Sequence, residues 1–173
     1  MAYIKVNDHK YARYYKSYID LVSSSDNFID ILELTHKKTN ELLDLVTEEK
    51  GNYTYAEGKW TIKELLVHLI DAERIFCNRA LRFARNDKTD LPGFDHDNYV
   101  LNSRANERSL FDIICEFDSV RNATINLFKG FNEEMLERKG KANNNELTVL
   151  AIAYIIAGHE THHIKVLAEK YLS

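Results

Sequence analysis

The stretch TVLAIAYIIAGHETHHIKVLAEKY, residues 148–171, joins a run of apolar residues to three of the chain's seven histidines. Its first half is apolar on nearly every side, so we expect a helix that is buried by neighbouring helices or by a second subunit. Its second half places His159 and His163 four residues apart, a spacing at which side chains lie one above the other on the same helix face. The stretch therefore predicts a buried helix that carries two imidazoles into the protein interior.

The pentapeptide HETHH, residues 159–163, fits the H-E-x-x-H pattern of zinc peptidases, in which two histidines bind zinc and the glutamate is the general base. Five residues are a weak signal, and in that class the third ligand usually follows the motif. Only ten residues follow His163, and none of them is His or Cys. We therefore disfavour a peptidase and expect Glu160 to orient a water or to hydrogen-bond a metal ligand.

The length and composition of the chain are those of a soluble globular protein with one domain. It has 173 residues, of which 45% are hydrophobic and 29% are charged. The formal net charge of −4 gives no sign of a nucleic-acid partner or an anionic membrane surface. One Pro and six Gly are few helix breakers, which favours long helices over a β fold with many turns.

The N-terminus and the cysteines indicate the cellular compartment. The segment MAYIKVNDHKYARYY at the start of the chain lacks the apolar core of a secretory signal, and the longest apolar run is far too short to span a bilayer. Cys77 and Cys115 lie far apart and match no CxxC spacing, so we expect free thiols. Together these features predict a cytoplasmic protein with no membrane partner.

Four stretches have helical periodicity, which predicts an all-α four-helix bundle. Thr61 and Glu64 form a capping-box pattern at the start of the second helix, and Ser109 marks the start of the third. The predicted single domain, 1–173, consists of an N-terminal arm or short helix, 1–25, and the bundle, 26–172. The four predicted helices span residues 26–46, 61–85, 109–130 and 148–171.

The connection between the second and third helices, residues 86–108, is unusually long for adjacent antiparallel helices. About 22 extended residues can span roughly 70 Å, whereas a helix with that many residues is only about 33 Å long. The connection is therefore long enough to cross the whole bundle. This length permits an up-down-down-up arrangement of the four helices.

A third inward-facing histidine, His68, lies in the second predicted helix, within WTIKELLVHLIDAERIF at 60–76. If the second and fourth helices are antiparallel, His68 lies at nearly the same level as His163. We predict that His68, His159 and His163 bind one divalent metal ion, because neutral imidazoles that converge in an apolar interior need such a partner. Three protein ligands leave coordination positions open. The ligand set suits Zn, Ni, Co or Fe, and we expect Zn or Ni.

Two side chains near His68 on the same helix are candidates for the surroundings of the metal. Arg79 lies on nearly the same helix face as His68, and it either binds a carboxylate of the ligand or forms a solvated basic edge with Arg82 and Arg85. Asp71 lies one turn beyond His68 and either hydrogen-bonds a metal ligand or forms a surface salt bridge. The residues alone leave both alternatives open.

Further candidates lie in the long connection and near the histidine motif. Tyr99 is a candidate for substrate binding because functional residues often lie in such loops, which here also hold Asp95 and Asp97. Trp60 is expected to anchor the core rather than to contact substrate. His162 is expected to lie outside the metal coordination. The remaining histidines are expected to be solvated: His9, His36 and His96.

Three segments resemble the DinB-like superfamily of four-helix, metal-binding bacterial proteins. They are YAEGKWTIKELLVHLIDAERIFCNRALRFAR at 55–85, LPGFDHDNYV at 91–100 and AIAYIIAGHETHHIKVLAEKYL at 151–172. The resemblance covers nearly the whole chain, from about Asp26 to Leu172. One upstream His followed by a distant HxxxH is the ligand pattern of the family, so the resemblance implies the metal ligands His68, His159 and His163. It also implies the up-down-down-up topology and a homodimer.

The activities of this superfamily vary more than its fold, so the resemblance implies several functions. Some members are transferases that use bacillithiol or a related low-molecular-weight thiol, and others are mycothiol-dependent isomerases or are described as metal-dependent hydrolases. We expect a transferase that acts on a small molecule through a metal-bound thiol of this kind. The alternatives are a hydrolase that uses a water activated by the metal, and a non-catalytic stress protein that binds a metal or a small ligand.

Overall fold

The computed structural model describes residues 11–22 and 27–173. Within these ranges the chain forms seven α-helices and one two-stranded hairpin. The helices are α1 (Lys16–Asp20), α2 (Phe28–Leu43), α3 (Ile62–Ala84), α4 (His96–Asn102), α5 (Leu110–Lys129), α6 (Glu133–Glu137) and α7 (Val149–Val166), and the strands are β1 (Lys139–Ala142) and β2 (Asn145–Thr148). The predicted helix start at Asp26 and most of the predicted arm, residues 1–10 and 23–25, lie outside the described residues.

Helices α2, α3, α5 and α7 are the four long helices, and they confirm the predicted all-α bundle. Each begins at a side chain that accepts a hydrogen bond from a free backbone N–H of its first turn. The predicted capping box at α3 is complete, because Thr61 Oγ1 accepts from the Glu64 N–H at 3.1 Å and Glu64 Oε2 accepts from the Thr61 N–H at 2.8 Å. The other caps are Asn27, Ser109 and Thr148.

Contacts between side chains establish the directions of three long helices. Phe28 at the start of α2 packs against Phe128 near the end of α5, with ring centroids 6.1 Å apart, so these two helices are antiparallel. Helices α3 and α5 are parallel, because their contacts follow the same order along both: Arg74 with Glu116, then Cys77 with Thr124. It follows that α2 and α3 are also antiparallel.

The last long helix runs antiparallel to α3. The Tyr171 hydroxyl, beyond the end of α7, donates to the Trp60 carbonyl oxygen before the start of α3, at 2.7 Å. Arg138, which precedes α7, donates to the carbonyl oxygen of Ala84 at the end of α3. These directions give the predicted up-down-down-up order. The long connection, 86–108, is what allows α3 and α5 to run in the same direction.

The apolar half of α7 is buried by other parts of the same chain. Residues 149–157 are each 3% exposed or less, so their burial needs no second subunit. A Cβ atom on Gly158 would lie 2.1 Å from the Tyr18 carbonyl oxygen. Glycine at this position therefore lets α1 pack directly against α7. In the described ranges, no helix combines the length and the apolar character that a membrane span requires.

The connection between α5 and α7 contains a hairpin that the sequence analysis did not predict. Strands β1 and β2 pair in antiparallel register, with Lys139 opposite Thr148. Asn143 and Asn144 form the turn, with φ angles of 49° and 60° in the left-handed region that Asn tolerates. A Cβ atom on Gly140 would lie 1.9 Å from the ring of Phe83, so the hairpin lies directly against the end of α3.

The crossover connection is attached to this hairpin. Leu91 donates its N–H to the Lys141 carbonyl oxygen at 3.0 Å and accepts from the Asn143 N–H at 2.9 Å. Helix α4 follows within the same connection. The attachment fixes residues 92–96 beside α3, where they form part of the wall of a cavity.

Candidate metal centre

Three imidazole rings from α3 and α7 meet inside the bundle, where His68 is buried and His159 and His163 are half-buried. Nε2 of His68 lies 3.1 Å from Nε2 of His159, and Nε2 of His163 lies 3.1 Å from the same His159 atom. The three ring centroids are 4.6 to 4.9 Å apart. The structure therefore brings together the three histidines that the sequence singled out, because α3 and α7 are antiparallel. Their role as metal ligands stays a prediction.

Hydrogen bonding alone does not account for this arrangement. A neutral imidazole nitrogen has either one lone pair or one N–H, so Nε2 of His159 can make one good hydrogen bond and not two. A metal ion takes one lone pair from each ring, typically at about 2.0–2.1 Å. Ligand nitrogens at that distance are about 3.3 Å apart in tetrahedral geometry and about 2.9 Å apart in octahedral geometry. The two distances to Nε2 of His159, 3.1 Å each, lie between these values, and one nitrogen from each of the three rings lies within 4.8 Å of the others, so the cluster is compatible with a divalent ion.

The surroundings keep the three rings neutral, which is the form that binds metals. Burial, with a smaller contribution from the nearby His96, lowers the pKa of His68 to about 4. Burial lowers the pKa of His163 to about 3, helped by His68 and His162. Burial and the neighbouring His163 hold the pKa of His159 well below its ordinary value. All three lone pairs are therefore available at neutral pH.

Trp60 packs on two of these rings, and Tyr171 holds it in place. Its ring centroid lies 4.8 Å from that of His68 and 6.4 Å from that of His163. The hydrogen bond from the Tyr171 hydroxyl fixes its backbone. Trp60 also lines the cavity beside the cluster, where a ligand can contact it, in addition to the packing role predicted for it.

A cavity of about 440 Å³ lies beside the three rings. Much of its wall is aromatic. Tyr18 contacts His159, with ring centroids 5.4 Å apart, because Gly158 lets α1 lie close to α7. Sequence reasoning missed this contribution of the N-terminal segment, since nothing local links it to the distant HETHH motif. The aromatic lining residues are Tyr14, Tyr15, Tyr18, Trp60, Phe76 and Phe94.

Two further histidines lie at the edge of the cluster. The ring of His96 is 5.7 Å from that of His68, and the ring of His162 is 5.1 Å from that of His163. Both line the cavity. The His96 side chain is 54% exposed, so its predicted solvation is correct, but its position beside the metal ligands was not predicted.

Of the two predicted ligand-binding residues, the structure places Arg79 in the cavity wall. Arg79 is only 4% exposed, so the alternative of a solvated basic edge is wrong for this residue. That alternative does describe its neighbours, since Arg82 pairs with Asp87 at 2.6 Å and Arg85 is exposed. Tyr99 is 46% exposed and packs against Phe94, with ring centroids 5.2 Å apart. Phe94 lines the cavity and Tyr99 does not, so Tyr99 lies outside the cavity wall.

The two carboxylates predicted near the metal lie outside the cavity lining. Glu160 is buried and accepts hydrogen bonds from Thr39 Oγ1 at 2.6 Å and from Arg121 Nη1 at 2.7 Å. Asp71 is half-buried, and burial raises its pKa while the nearby Arg74 lowers it. Neither residue is among the described residues that line the cavity. The structure thus gives Glu160 a place in the bundle core and leaves Asp71 outside the site.

A sequence profile of the DinB superfamily matches residues 31–167, a range that contains all three histidines of the cluster. The chain belongs to the DinB superfamily. This membership confirms the resemblance that the three sequence segments indicated.

Two individual proteins are similar to this DinB-superfamily member. A protein of Oceanobacillus iheyensis named "Putative metal-dependent hydrolase OB0413" is 22% identical over 134 residues, which cover 77% of each chain. YfiT from Bacillus subtilis, described as "a probable metal-dependent hydrolase with an unusual four-helix bundle topology", has a TM-score of 0.72 at 16% identity, over 83% of each chain. At this identity the likeness to YfiT shows the fold.

Proposed function

We propose that this DinB-superfamily member is a metal-dependent transferase that joins a low-molecular-weight thiol, such as bacillithiol, to an electrophilic small molecule. The convergence of three neutral imidazoles on a cavity is the observation that supports it most. Three protein ligands leave room for a further ligand from solution. The cavity, about 440 Å³, falls within the usual size range of small-molecule sites.

A divalent ion in this cluster would lower the pKa of a thiol that reaches it, so that the thiol reacts as a thiolate at neutral pH. The residues of the chain bind and orient the two reactants. Trp60, Phe76 and Phe94 offer an apolar surface to their organic parts. His96 and His162, at the cavity edge, are placed to accept the proton that the thiol loses. The sulfur then bonds to the electrophilic carbon while the leaving group departs with the bonding electrons.

The residues around the cavity favour thiol transfer over hydrolysis. Hydrolysis needs a group that takes a proton from water and delivers it to the leaving group; His or a carboxylate can do this, and in hydrolases with the H-E-x-x-H pattern it is the Glu. None of the described residues that line the cavity is Asp or Glu. A metal ion in the cluster would deprotonate a thiol outright but would lower the pKa of a water only to about 7, so the thiol would need less help from a base.

A metal-dependent hydrolase is the second candidate, and the names of the two similar proteins support it. In that function His96 or His162 would take the proton from water, since both border the histidine cluster. The same aromatic wall would hold the organic part of an ester or amide. The metal ligands are identical in both functions, so they do not separate them.

One pair of assays on zinc- or nickel-loaded protein separates these functions. The transfer assay contains bacillithiol and monochlorobimane, and the hydrolysis assay contains p-nitrophenyl acetate without thiol. We expect metal-dependent conjugate formation that is lost in His163→Ala, together with no ester turnover above that of this variant. Ester turnover without conjugate formation would favour the hydrolase. Absence of both reactions with every metal would contradict an enzymatic function and leave a metal-binding protein.

A further inference from the structure

Arg79 carries a positive charge in the protein interior, and the part of the chain that the structure describes offers it no acidic partner. Only 4% of the residue is exposed. Its Nη2 donates to the Pro92 carbonyl oxygen at 3.1 Å, and its guanidinium carbon lies 5.5 Å from the centroid of the Phe76 ring. Tyr15 accepts a second hydrogen bond as a neutral phenol, since burial raises its pKa. Among the described residues, no carboxylate interacts with Arg79.

A buried charge in this position calls for a partner of opposite charge. Charged groups inside proteins are normally paired, because removing a charge from water is costly. A guanidinium group has five N–H donors in a planar fork, which matches a carboxylate. The neutral oxygens of Pro92 and Tyr15 leave some of these donors free. Arg79 lines the cavity, so a ligand there can supply the missing negative charge.

The end of the cavity around Arg79 is formed by two segments that are fixed to each other. Pro92 and Gly93 belong to the crossover connection, and Asn143 belongs to the hairpin turn. The Asn143 N–H bonds to the Leu91 carbonyl oxygen at 2.9 Å. A Cβ atom on Gly93 would lie 2.5 Å from Asn143 Oδ1, so glycine allows this close contact. The Pro92 carbonyl oxygen that orients Arg79 thus belongs to a segment that the hairpin holds in place. Arg79 is therefore held in position before a ligand binds, as a preorganised binding group requires.

The charge of the cavity wall also favours an anion. None of the described lining residues carries a carboxylate that would compete for Arg79 or repel a negative ligand. Histidines and tyrosines are the other ionisable groups of this lining. A concave site in which the fixed charge of the described lining is positive raises the local concentration of anions.

The position of Arg79 relative to the histidine cluster limits the length of the ligand. Its guanidinium carbon is 5.5 Å from the Phe76 ring, and that ring is 6.5 Å from the His159 ring. Together these distances place the guanidinium at most about 12 Å from His159, roughly the length of three to four extended amino-acid residues. A molecule of tripeptide size therefore reaches both groups.

We propose that Arg79 binds a carboxylate at one end of a small-molecule ligand whose reactive end lies at His68, His159 and His163. The placement of the reactive end at the three histidines rests on the proposed function, whereas the placement of the carboxylate end rests on the charge and burial of Arg79. Arg79 is then the residue that selects anionic ligands over neutral ones of the same shape. The ligand class is an extended anionic molecule with its reactive group remote from its carboxylate.

The test uses two pairs of peptides that differ in one group at a time. N-acetyl-Cys-Gly-Gly carries a thiol near one end and a carboxylate at the other, and its C-terminal amide lacks only the negative charge. N-acetyl-Ser-Gly-Gly and its amide replace the thiol with a hydroxyl. Calorimetry measures their binding to zinc-loaded wild type, Arg79→Gln and Arg79→Lys. Arg85→Gln is the matched control, because Arg85 is an exposed arginine at the end of the same helix.

We expect the wild type and Arg85→Gln to bind each acid about 10-fold more tightly than its amide, the effect of one charge-assisted pair. Arg79→Gln should show no such preference, and Arg79→Lys should keep part of it. Equal affinities of acid and amide in the wild type, or no binding of either acid, would overturn the Arg79 proposal. Equal affinities within the wild type overturn the proposal even if a variant does not fold. An undiminished acid preference in Arg79→Gln also overturns it, because the carboxylate then binds elsewhere.

The same measurements distinguish failure of the thiol function from failure of the carboxylate site. If the acid preference holds in both pairs but cysteine binds no better than serine, the proposed thiol function is overturned and the Arg79 site stands. If cysteine binds better than serine but acid and amide are equal, the thiol function stands and the Arg79 site is overturned.

Discussion

The two buried arginines of this protein, Arg121 and Arg79, differ in how their charge is balanced. Arg121 is 1% exposed and lies between two buried glutamates. It donates to Glu73 at 2.7 and 2.9 Å and to Glu160 at 2.7 Å, and its other hydrogen bonds go to neutral oxygens of α2. Arg79 is 4% exposed, but the described residues offer it only neutral acceptors.

This difference in charge balance distinguishes polar groups that stabilise the bundle from polar groups that are available to bind a ligand. Arg121 joins α5 to α3 through Glu73 and to α7 through Glu160, and its hydrogen bonds are satisfied within the protein. Among the described residues, no carboxylate balances the charge of Arg79, and Nε2 of His159 lies near two other ring nitrogens although it can make only one hydrogen bond; both side chains line one cavity. Buried charges are normally paired within the protein, so the charge of Arg79 beside the histidine cluster marks the candidate site.

Removal of Arg121 should have the largest effect on stability. We expect Arg121→Met to lower the free energy of unfolding by about 3–5 kcal/mol, because it leaves Glu73 and Glu160 buried without a counter-ion. Urea unfolding of metal-free protein measures the change. Arg74→Met is the control, since it breaks a half-exposed pair with Glu116 and should cost at most about 1 kcal/mol. Equal losses in the two variants would show that the buried cluster does not stabilise the bundle.

Filling the histidine cluster should have the next largest effect. Zinc at 100 times its dissociation constant should raise the free energy of unfolding by about 2.7 kcal/mol, because the ion binds the folded protein and not the unfolded chain. Thermal or urea unfolding with and without zinc tests this. His159→Ala should lose the increase. An undiminished increase in that variant would place the zinc at another site.

Acid should weaken the metal-free protein through the same histidines. In the folded state burial lowers the pKa of His68 to about 4 and that of His163 to about 3, whereas the ordinary value is 6.5. Between these values the unfolded chain binds more protons, so stability falls as the pH drops below 6.5. Each histidine contributes at most about 1.4 kcal/mol per pH unit.

Urea unfolding of metal-free protein at several pH values between neutral and mildly acidic measures this loss. His68→Asn should show a shallower dependence on pH than the wild type, because one of the depressed groups is absent. An identical pH dependence in the two proteins would mean that His68 keeps an ordinary pKa in the folded state.

Removal of Arg79 should have the smallest effect on stability, in contrast to Arg121. We expect Arg79→Gln to change the free energy of unfolding by less than about 1 kcal/mol, because no buried acid loses its partner. Unfolding of the ligand-free protein by urea measures the difference. A loss as large as that of Arg121→Met would show that Arg79 serves the fold, and the comparison of the two arginines would fail.

The long helices and the histidine cluster were predictable because local signals determine them. Periodicity and capping residues placed α2, α3, α5 and α7, and the four-residue spacing of His159 and His163 placed both on one face. The length of the 86–108 connection permitted the observed topology. Each of these features follows from residues that are near one another in the sequence. The histidine cluster needed one further condition, that His68 lies at the same point as His159 and His163.

The remaining features depend on contacts between distant segments. Glu160 lies within HETHH, which suggested a role at the metal, but Arg121 and Thr39 from other helices engage its carboxylate. Arg79 is buried beside Pro92 of the crossover and Tyr15 of the N-terminal segment, and its helix pattern alone did not show these neighbours. The hairpin itself had one usable signal, the Asn143–Asn144 pair that favours a tight turn.

Metal analysis of protein purified without a histidine tag tests most directly whether His68, His159 and His163 hold one ion. The wild type and His162→Ala should each contain about one divalent ion per chain, since His162 lies beside the cluster and not in it. His68→Ala and His163→Ala should each retain less than about a tenth of that amount. Equal loss in all three variants, or full retention in His68→Ala, would contradict the assignment of the three ligands.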